Sequence, residues 1–165
     1  MPLGVAALRA LVPAIDATVA VVRPGDDALA SALNGAGARV TICDAWDAGM
    51  GVSLAWGIHA APVAAGWIVA LADMPWVRTA TIARVAQDLR RGAAIVAPTY
   101  RGSRGHPVGF AAKFYGLLGS LTGDQGARSV LAMHACDTML IETDDPGILR
   151  DVDTPLDLDR SNGKP

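Results

Sequence analysis

Apolar residues recur along the chain with two alternating spacings, one typical of strands and one of helices. Short apolar runs rich in β-branched residues predict buried strands at residues 17–22, 39–43, 67–72 and 94–97. Between them, apolar residues three to four positions apart predict helices at residues 3–11, 27–33, 50–60 and 79–91. A connection between parallel strands usually contains a helix. The pattern therefore predicts an α/β fold with a mostly parallel sheet covered by helices.

The second half of the chain is less regular and richer in glycine. Pro98 is predicted to end the fourth strand, and helical pieces are expected near residues 111–118 and 126–134. A strand at 138–142 and a last short helix at 154–159 follow. No repeat or linker divides the sequence, so residues 1–160 are predicted to form one domain and 161–165 a tail.

Composition and charge exclude several classes of protein. The chain has 165 residues, is 52% hydrophobic and carries a formal net charge of −2. These values exclude a disordered chain and give no basic surface for nucleic acid. The charge-free stretch 48–72 contains Pro62 and several glycines, which argues against a membrane span. With no signal-peptide pattern, Cys43 and Cys136 are interpreted as buried thiols of a cytoplasmic protein.

The loops after the predicted strands are the places to look for chemistry, because open parallel sheets bind ligands at the carboxyl ends of their strands. Asp73 directly follows the strand at 67–72. A carboxylate there is suited to Mg²⁺, which takes one or two carboxylates together with phosphate oxygens. Alternatively, Asp73 accepts hydrogen bonds from backbone amides ahead of the next helix.

A second loop, Gly49-Met50-Gly51-Val52-Ser53, allows a ligand to approach the backbone closely. Leu54 takes the place of the third glycine of a dinucleotide-binding motif, and Ala55 does not fit a nucleophile elbow. The alternative interpretation is an ordinary turn, with Ser53 as a helix cap.

A third loop runs from Arg101 to Pro107 and contains Arg104 and His106. Two arginines and a histidine on a glycine-rich loop are suited to an anionic or phosphorylated ligand. A solvated hairpin turn explains the same residues. His106 has no second His or Cys at ligand spacing, which argues against zinc, and His59 and His134 are interpreted as structural.

A fourth acidic segment lies near the C-terminus. Thr154, Pro155 and Asp157 predict the start of a helix without any function. Asp151 and Asp153 are not explained in this way. A carboxylate just before a helix remains a candidate metal ligand.

Taken in order, these motifs resemble the MobA-like NTP-transferase family, and within it the molybdenum cofactor cytidylyltransferases. The resemblance spans roughly residues 3–158. It rests on WDAGMGVSLAWG (46–57), ALADMPWV (70–77), PTYRGSRGHPVGF (98–110), GDQGAR (123–128) and DPGILRDVDTPLDL (145–158). It implies a Rossmann-like three-layer sandwich of the nucleotide-diphospho-sugar transferase type.

The resemblance also implies an activity. The molybdopterin cofactor would be the acceptor of CMP or GMP from CTP or GTP, with Mg²⁺ required and pyrophosphate released. It implies Asp73 and Asp153 as catalytic Mg²⁺ ligands. The residues implied to line the nucleotide or pterin cleft, or to contact the acceptor, are Gly49, Met50, Gly51, Ser53, Gly105, His106, Pro107, Gly123 and Asp124. A molybdoenzyme or its chaperone is an implied partner.

One family element has no match in this sequence. The family opens with a strand and a loop of the type LAAGxSxRMGxxK, which binds the triphosphate. Met1-Pro2-Leu3 instead matches the start of the helix that follows that loop. We therefore expect a sheet without the strand between those near Val21 and Val69. Three explanations stay open: a start further upstream, a rearranged fold, or pairing with another chain, including a copy of this one. An inactive, cofactor-binding family member is the corresponding alternative function.

Overall fold

Helices and strands alternate through the first two thirds of the chain. The computed structural model describes residues 1–153. Its helices are α1 (Leu3–Leu11), α2 (Asp27–Gly35), α3 (Met50–Ala60), α4 (Thr79–Arg90), α5 (Tyr115–Gly119) and α6 (Arg128–Met133). Its strands are β1 (Val19–Val22), β2 (Arg39–Ile42), β3 (Gly66–Val69), β4 (Ile95–Tyr100), β5 (Ser103–Arg104), β6 (Val108–Ala111) and β7 (Thr138–Glu142). The predicted α/β class is confirmed.

The strands form two separate sheets. β1 and β2 pair in parallel. In the second sheet the order is β3-β6-β4, with β7 parallel to β4 on its other edge and the short β5 continuing the edge that β6 occupies. β6 runs antiparallel to both β3 and β4. The second sheet is therefore mixed: β3, β4 and β7 run in one direction, and β6 runs in the other.

A wide cleft separates the two sheets. Its volume is about 2060 Å³, and both β1 and β3 line it. Within residues 1–153, β1 pairs only with β2 and β3 only with β6, so one edge of each strand faces the cleft. This agrees with the expected gap between the strands near Val21 and Val69.

The main core lies on the second sheet. Strand β4 is buried on both faces, because Ile95 and Ala97 pack on one side and Val96 packs on the other. The first side also includes Phe110 of β6 and residues from α3, α5 and α6. The opposite side is covered by α4 through Val85.

Pro98 does not end the fourth strand, which continues to Tyr100. The backbone carbonyl of Pro98 accepts a hydrogen bond from the Gly105 amide (2.9 Å). Along this edge of β4, Pro98 lies between the residues that pair with β6 and the residues that pair with β5. Carbonyl and nitrogen of one strand residue face the same edge. The donor that proline lacks therefore falls where the ladder is already interrupted.

Other sequence expectations also need correction. The sequence pattern does not predict strand β6. The helical pieces expected near 111–118 and 126–134 are present, as a 3₁₀ turn followed by α5 and as α6. Cys43 is buried as expected, but Cys136 is exposed because it lies in a surface 3₁₀ turn, Ala135–Asp137. The predicted helix at 154–159 and the tail lie outside the described residues.

The charge-free stretch 48–72 contains α3 and β3. No helix among residues 1–153 has both the length and the apolar character needed to cross a membrane.

Candidate functional site

Asp73 lies in the turn that follows β3, at the edge of the cleft. Its backbone carbonyl accepts a hydrogen bond from the Val152 amide (2.9 Å). Its Oδ1 atom is buried and has no hydrogen-bond partner among the described residues. The amides ahead of the next helix are served by another carboxylate, since Asp145 accepts from the Arg78 amide (2.8 Å). Asp73 therefore does not have the capping role that the sequence left open.

His106 lies at the same end of the second sheet. Val69 pairs with Val108 in the antiparallel ladder, so the chain beyond β3 and the chain before β6 end side by side. The His106 amide donates to the Ile148 carbonyl (3.0 Å), and the following peptide bond to Pro107 is cis. Its Nδ1 atom is buried and unpartnered among the described residues, like Asp73 Oδ1.

The charge state of His106 is set by its surroundings. Burial lowers the pKa of His106 below its ordinary 6.5, and the nearby Arg104 guanidinium lowers it further, while the Asp73 carboxylate acts in the opposite direction. The imidazole is therefore held in its neutral form near neutral pH. A neutral ring leaves a nitrogen lone pair for a ligand.

Leaving buried polar atoms without partners is costly. Each such atom costs about 1–3 kcal/mol relative to a satisfied one. Two of them, one acidic and one basic, lie at a single end of the cleft. This is the position at which α/β sheets bind ligands.

The segment from Ile148 to Asp153 spans this end of the sheet. Its two backbone contacts, to His106 and to Asp73, hold both candidate residues in place. Asp151 lines a smaller cavity of about 230 Å³ that His106 and Arg104 also line. Asp153 follows Val152 and is exposed, so the structure brings its backbone near Asp73 without burying the side chain.

These residues fit a cation that a substrate completes. Among residues 1–153 no group of three or more His, Cys, Asp or Glu side chains could hold a metal ion by itself. A single buried carboxylate oxygen at the cleft edge suits Mg²⁺, which is commonly held by one or two carboxylates and phosphate oxygens. Asp73 thus fits the implied ion, whereas for Asp153 the structure shows only that the preceding residue, Val152, is hydrogen-bonded to Asp73.

Two other predicted loops are packed against each other. The Gly51 amide donates to the Gly123 carbonyl (2.7 Å). A Cβ on Gly49, whose φ is 114°, would overlap the Gly123 backbone and lie 2.7 Å from Asp124 Oδ1. Gly49 and Gly51 are therefore needed for the contact between the two backbones. Ser53 is not a cap, because α3 already begins at Met50.

The cleft collects part of the predicted set. The candidates that line it are Met50, Ser53, Asp73, Gly105, His106 and Asp124. The remaining candidates, Gly49, Gly51, Pro107, Gly123 and Asp153, do not line it. Pro107 is fully buried behind His106.

The loop from Arg101 to Pro107 combines both interpretations drawn from its sequence. Arg101 and Gly102 form a hairpin turn with positive φ angles, and the Arg101 guanidinium stacks on Tyr100 at 5.1 Å. Arg104, the last residue of β5, lines the cleft instead. The turn is thus ordinary, while its second arginine is placed to meet an anion.

Asp145 is a functional neighbour that sequence reasoning missed. It is 1% exposed and accepts hydrogen bonds from the Arg78 amide, the Thr81 hydroxyl (2.7 Å) and the Gly147 amide (3.0 Å). These bonds tie α4 to the segment that contacts His106. The motif Asp-Pro-Gly, typical of a turn in which Asp caps the next amides, was the available signal.

Comparison with known proteins gives a consistent family. The model of the MobA-like NTP transferase domain matches residues 1–140. Rv0371c from Mycobacterium tuberculosis, solved in complex with manganese, is 26% identical with a TM-score of 0.75, over 96% of this chain and 84% of that chain. No curated protein matches significantly.

More distant structures share the fold. The nucleotidyl transferase Mth528 from Methanothermobacter thermautotroptrophicus is 23% identical with a TM-score of 0.79, over 96% of this chain and 78% of that chain. The 4-diphosphocytidyl-2C-methyl-D-erythritol synthase from Anaerococcus prevotii is 13% identical with a TM-score of 0.73, over 94% and 84%.

Proposed function

Because the chain belongs to the MobA-like NTP transferase domain family, we propose that it transfers CMP or GMP from a nucleoside triphosphate to the phosphate of the molybdopterin cofactor. The observation that carries this proposal is the unpartnered carboxylate oxygen of Asp73 at the strand end that opens into the cleft. Asp73 and His106 both line the cleft in which the two substrates would lie.

The reaction balances without a further reactant. An oxygen of the acceptor phosphate attacks the α-phosphorus of the triphosphate and forms the new P–O bond. The bond between that phosphorus and the bridging oxygen of the leaving group breaks, and pyrophosphate departs with the electron pair. Little covalent chemistry falls to the protein, so positioning and charge compensation supply most of the rate.

Different residues along the cleft would have different roles in this reaction. Asp73, joined by Asp153, would hold Mg²⁺. Arg104, which lines the cleft, would bind a phosphate group, and Gly105 allows its loop to lie close against the Ile148 backbone. Gly105, His106 and Pro107 would orient the acceptor.

The loop contributed by Met50 and Ser53, together with Asp124, would bind the nucleotide or the pterin from the other wall.

A bound divalent cation would neutralise charge that develops on the triphosphate oxygens. The manganese complex of the 26% identical Rv0371c supports the use of a divalent cation by this chain. Asp73 has the donor atom that such an ion requires.

An alternative function is a cofactor-binding subunit that delivers the pterin to a molybdoenzyme or its chaperone. It is favoured by the edges of β1 and β3 that face the cleft, which pair with no strand among residues 1–153 and are able to pair with another strand. This alternative requires pterin binding without nucleotide transfer.

The test is product formation by the purified chain. With molybdopterin, Mg²⁺ and either CTP or GTP, we expect a nucleotidylated pterin and one pyrophosphate per product. Asp73→Asn should abolish both, whereas Asp144→Asn, at a carboxylate that is 93% exposed, should leave them unchanged. Pterin binding without product would favour the subunit alternative, and product with another phosphorylated acceptor would correct the substrate. Full activity of Asp73→Asn would contradict the site.

A further inference from the structure

Two residues at the end of the cleft offer donor atoms of different kinds. Asp73 offers a carboxylate oxygen and His106 an imidazole nitrogen, and both atoms are buried and unpartnered among residues 1–153. They do not hydrogen-bond to each other. Both residues line the same cleft, at the end of the sheet where β3 ends beside the start of β6.

We propose that His106 Nδ1 and the Asp73 carboxylate together hold a divalent transition-metal ion, so that the site prefers such an ion to Mg²⁺. The inference deepens the proposed function, since this is the site at which that function needs its cation. It adds a nitrogen ligand and a metal preference to it.

Metal chemistry gives the reason for the preference. Mg²⁺ takes oxygen ligands and retains its waters. An imidazole nitrogen binds first-row transition metals more readily, so one such ligand shifts selectivity away from Mg²⁺. With two protein ligands, several coordination positions stay open for phosphate oxygens and water.

The backbone around both ligands is held from outside the site. The His106 amide is bound to the Ile148 carbonyl, and the Asp73 carbonyl is bound to the Val152 amide. Gly105 packs so closely on the Ile148 carbonyl that a Cβ there would overlap it. These backbone contacts hold the two residues in position relative to each other, as two ligands of one metal ion require.

The other two histidines already have partners. His59 Nδ1 lies 3.1 Å from the Tyr115 hydroxyl, and its Nε2 lies 2.9 Å from the Gly119 carbonyl. His134 Nδ1 lies 3.1 Å from Asp137 Oδ2. A nitrogen signal from a bound metal can therefore be assigned by substituting one histidine at a time.

The experiment uses Mn²⁺ alone as the probe and the full chain as the protein. Binding is followed by the loss of the free Mn²⁺ signal in electron paramagnetic resonance, and the ligand by ¹⁴N modulation in pulsed spectra. The wild type should bind Mn²⁺ with ¹⁴N modulation and resist displacement by excess Mg²⁺. His106→Gln should lose the modulation and bind Mn²⁺ about tenfold or more weakly. His134→Gln should behave as the wild type.

Three results would overturn the proposal: a folded wild type that binds no Mn²⁺, bound Mn²⁺ without ¹⁴N modulation, or modulation that persists in His106→Gln. Circular dichroism of each variant establishes that it is folded. The spectra need no turnover, so they also separate this inference from the transferase proposal. Nitrogen ligation without nucleotide transfer would leave the metal site standing while the proposed reaction fails.

Discussion

The sheet formed by β1 and β2 and the sheet formed by β3 to β7 start from similar apolar sequences and reach different degrees of burial. In β4, Ile95, Val96 and Ala97 are all 0% exposed, whereas in β1 only Val22 is buried. The difference comes from neighbours. β4 has a strand on each edge and packing on each face. Within the part of the chain that the structure describes, β1 has one strand partner, and the cleft lies on its other side. Burial of a strand depends on what pairs with it as much as on its own residues.

The largest expected effect is a core substitution in the second sheet. Phe110 is 0% exposed, and Phe110→Ala should lower the free energy of unfolding by about 3–5 kcal/mol, because it leaves a cavity between packed elements. Val21→Ala in β1 removes half-buried methyl groups beside the cleft and should cost about 1 kcal/mol or less. Urea denaturation of both variants measures the difference, and equal losses would contradict the comparison.

The second sheet also depends on a polar anchor. Asp145→Ala leaves the Arg78 and Gly147 amides and the Thr81 hydroxyl without an acceptor, so we expect a loss of about 3 kcal/mol. Asp144→Ala, one residue earlier and exposed, should change stability by less than about 0.5 kcal/mol. Similar thermal denaturation of the two variants would show that the buried contacts do not anchor this region.

Hydrogen exchange should distinguish the sheets without any substitution. The amides of β1 are expected to exchange roughly 30-fold faster than those of β4, because their local opening exposes less packed surface. Mass spectrometry of peptides covering the two strands measures this ratio. Equal protection would mean that the cleft does not weaken the first sheet.

The smallest expected effect is a pH dependence from His106. Its pKa is lowered in the folded chain, so the unfolded chain binds more protons near pH 6.5. The stability that this neutral histidine contributes is complete above pH 6.5 and is lost as the pH falls through its folded pKa. His106→Gln should therefore lose less stability between pH 7.5 and pH 5.5 than the wild type. His134→Gln, at a histidine that is 30% exposed and lies 3.1 Å from Asp137, is the control. If His106→Gln loses as much stability over this pH range as the wild type, the burial of His106 does not cause the pH dependence.

The order of helices and strands could be predicted where one period dominates. The helix at 50–60 and the strand at 138–142 have the bounds that the sequence predicted. β6 could not be recognised from Val108 to Ala111 alone, because four residues with a central glycine give a weak period. Pro98 was misplaced because its tolerance depends on a ladder interruption that is visible only in the sheet.

The candidate site was predictable in part for a similar reason. The position of Asp73 after a predicted strand identifies it as a candidate site residue, and the family pattern does the same for His106. Each of these residues has an unpartnered buried atom, and both lie at one end of the cleft. Their proximity depends on the pairing of β3 with β6, which the sequence does not predict. Gly49 and Gly51 show the reverse case, since residues that suggested ligand binding are required for a close contact with the backbone of residues 122–123.

Nucleotide binding by the folded chain tests the central claim most directly. Calorimetric titration with CTP and with GTP, each with a divalent cation, should show binding of at least one nucleotide by the wild type. Binding should be lost in Asp73→Asn and retained in Asp144→Asn. Absence of binding to a wild type that circular dichroism shows to be folded, or unchanged binding in Asp73→Asn, would contradict a nucleotide site at this end of the cleft.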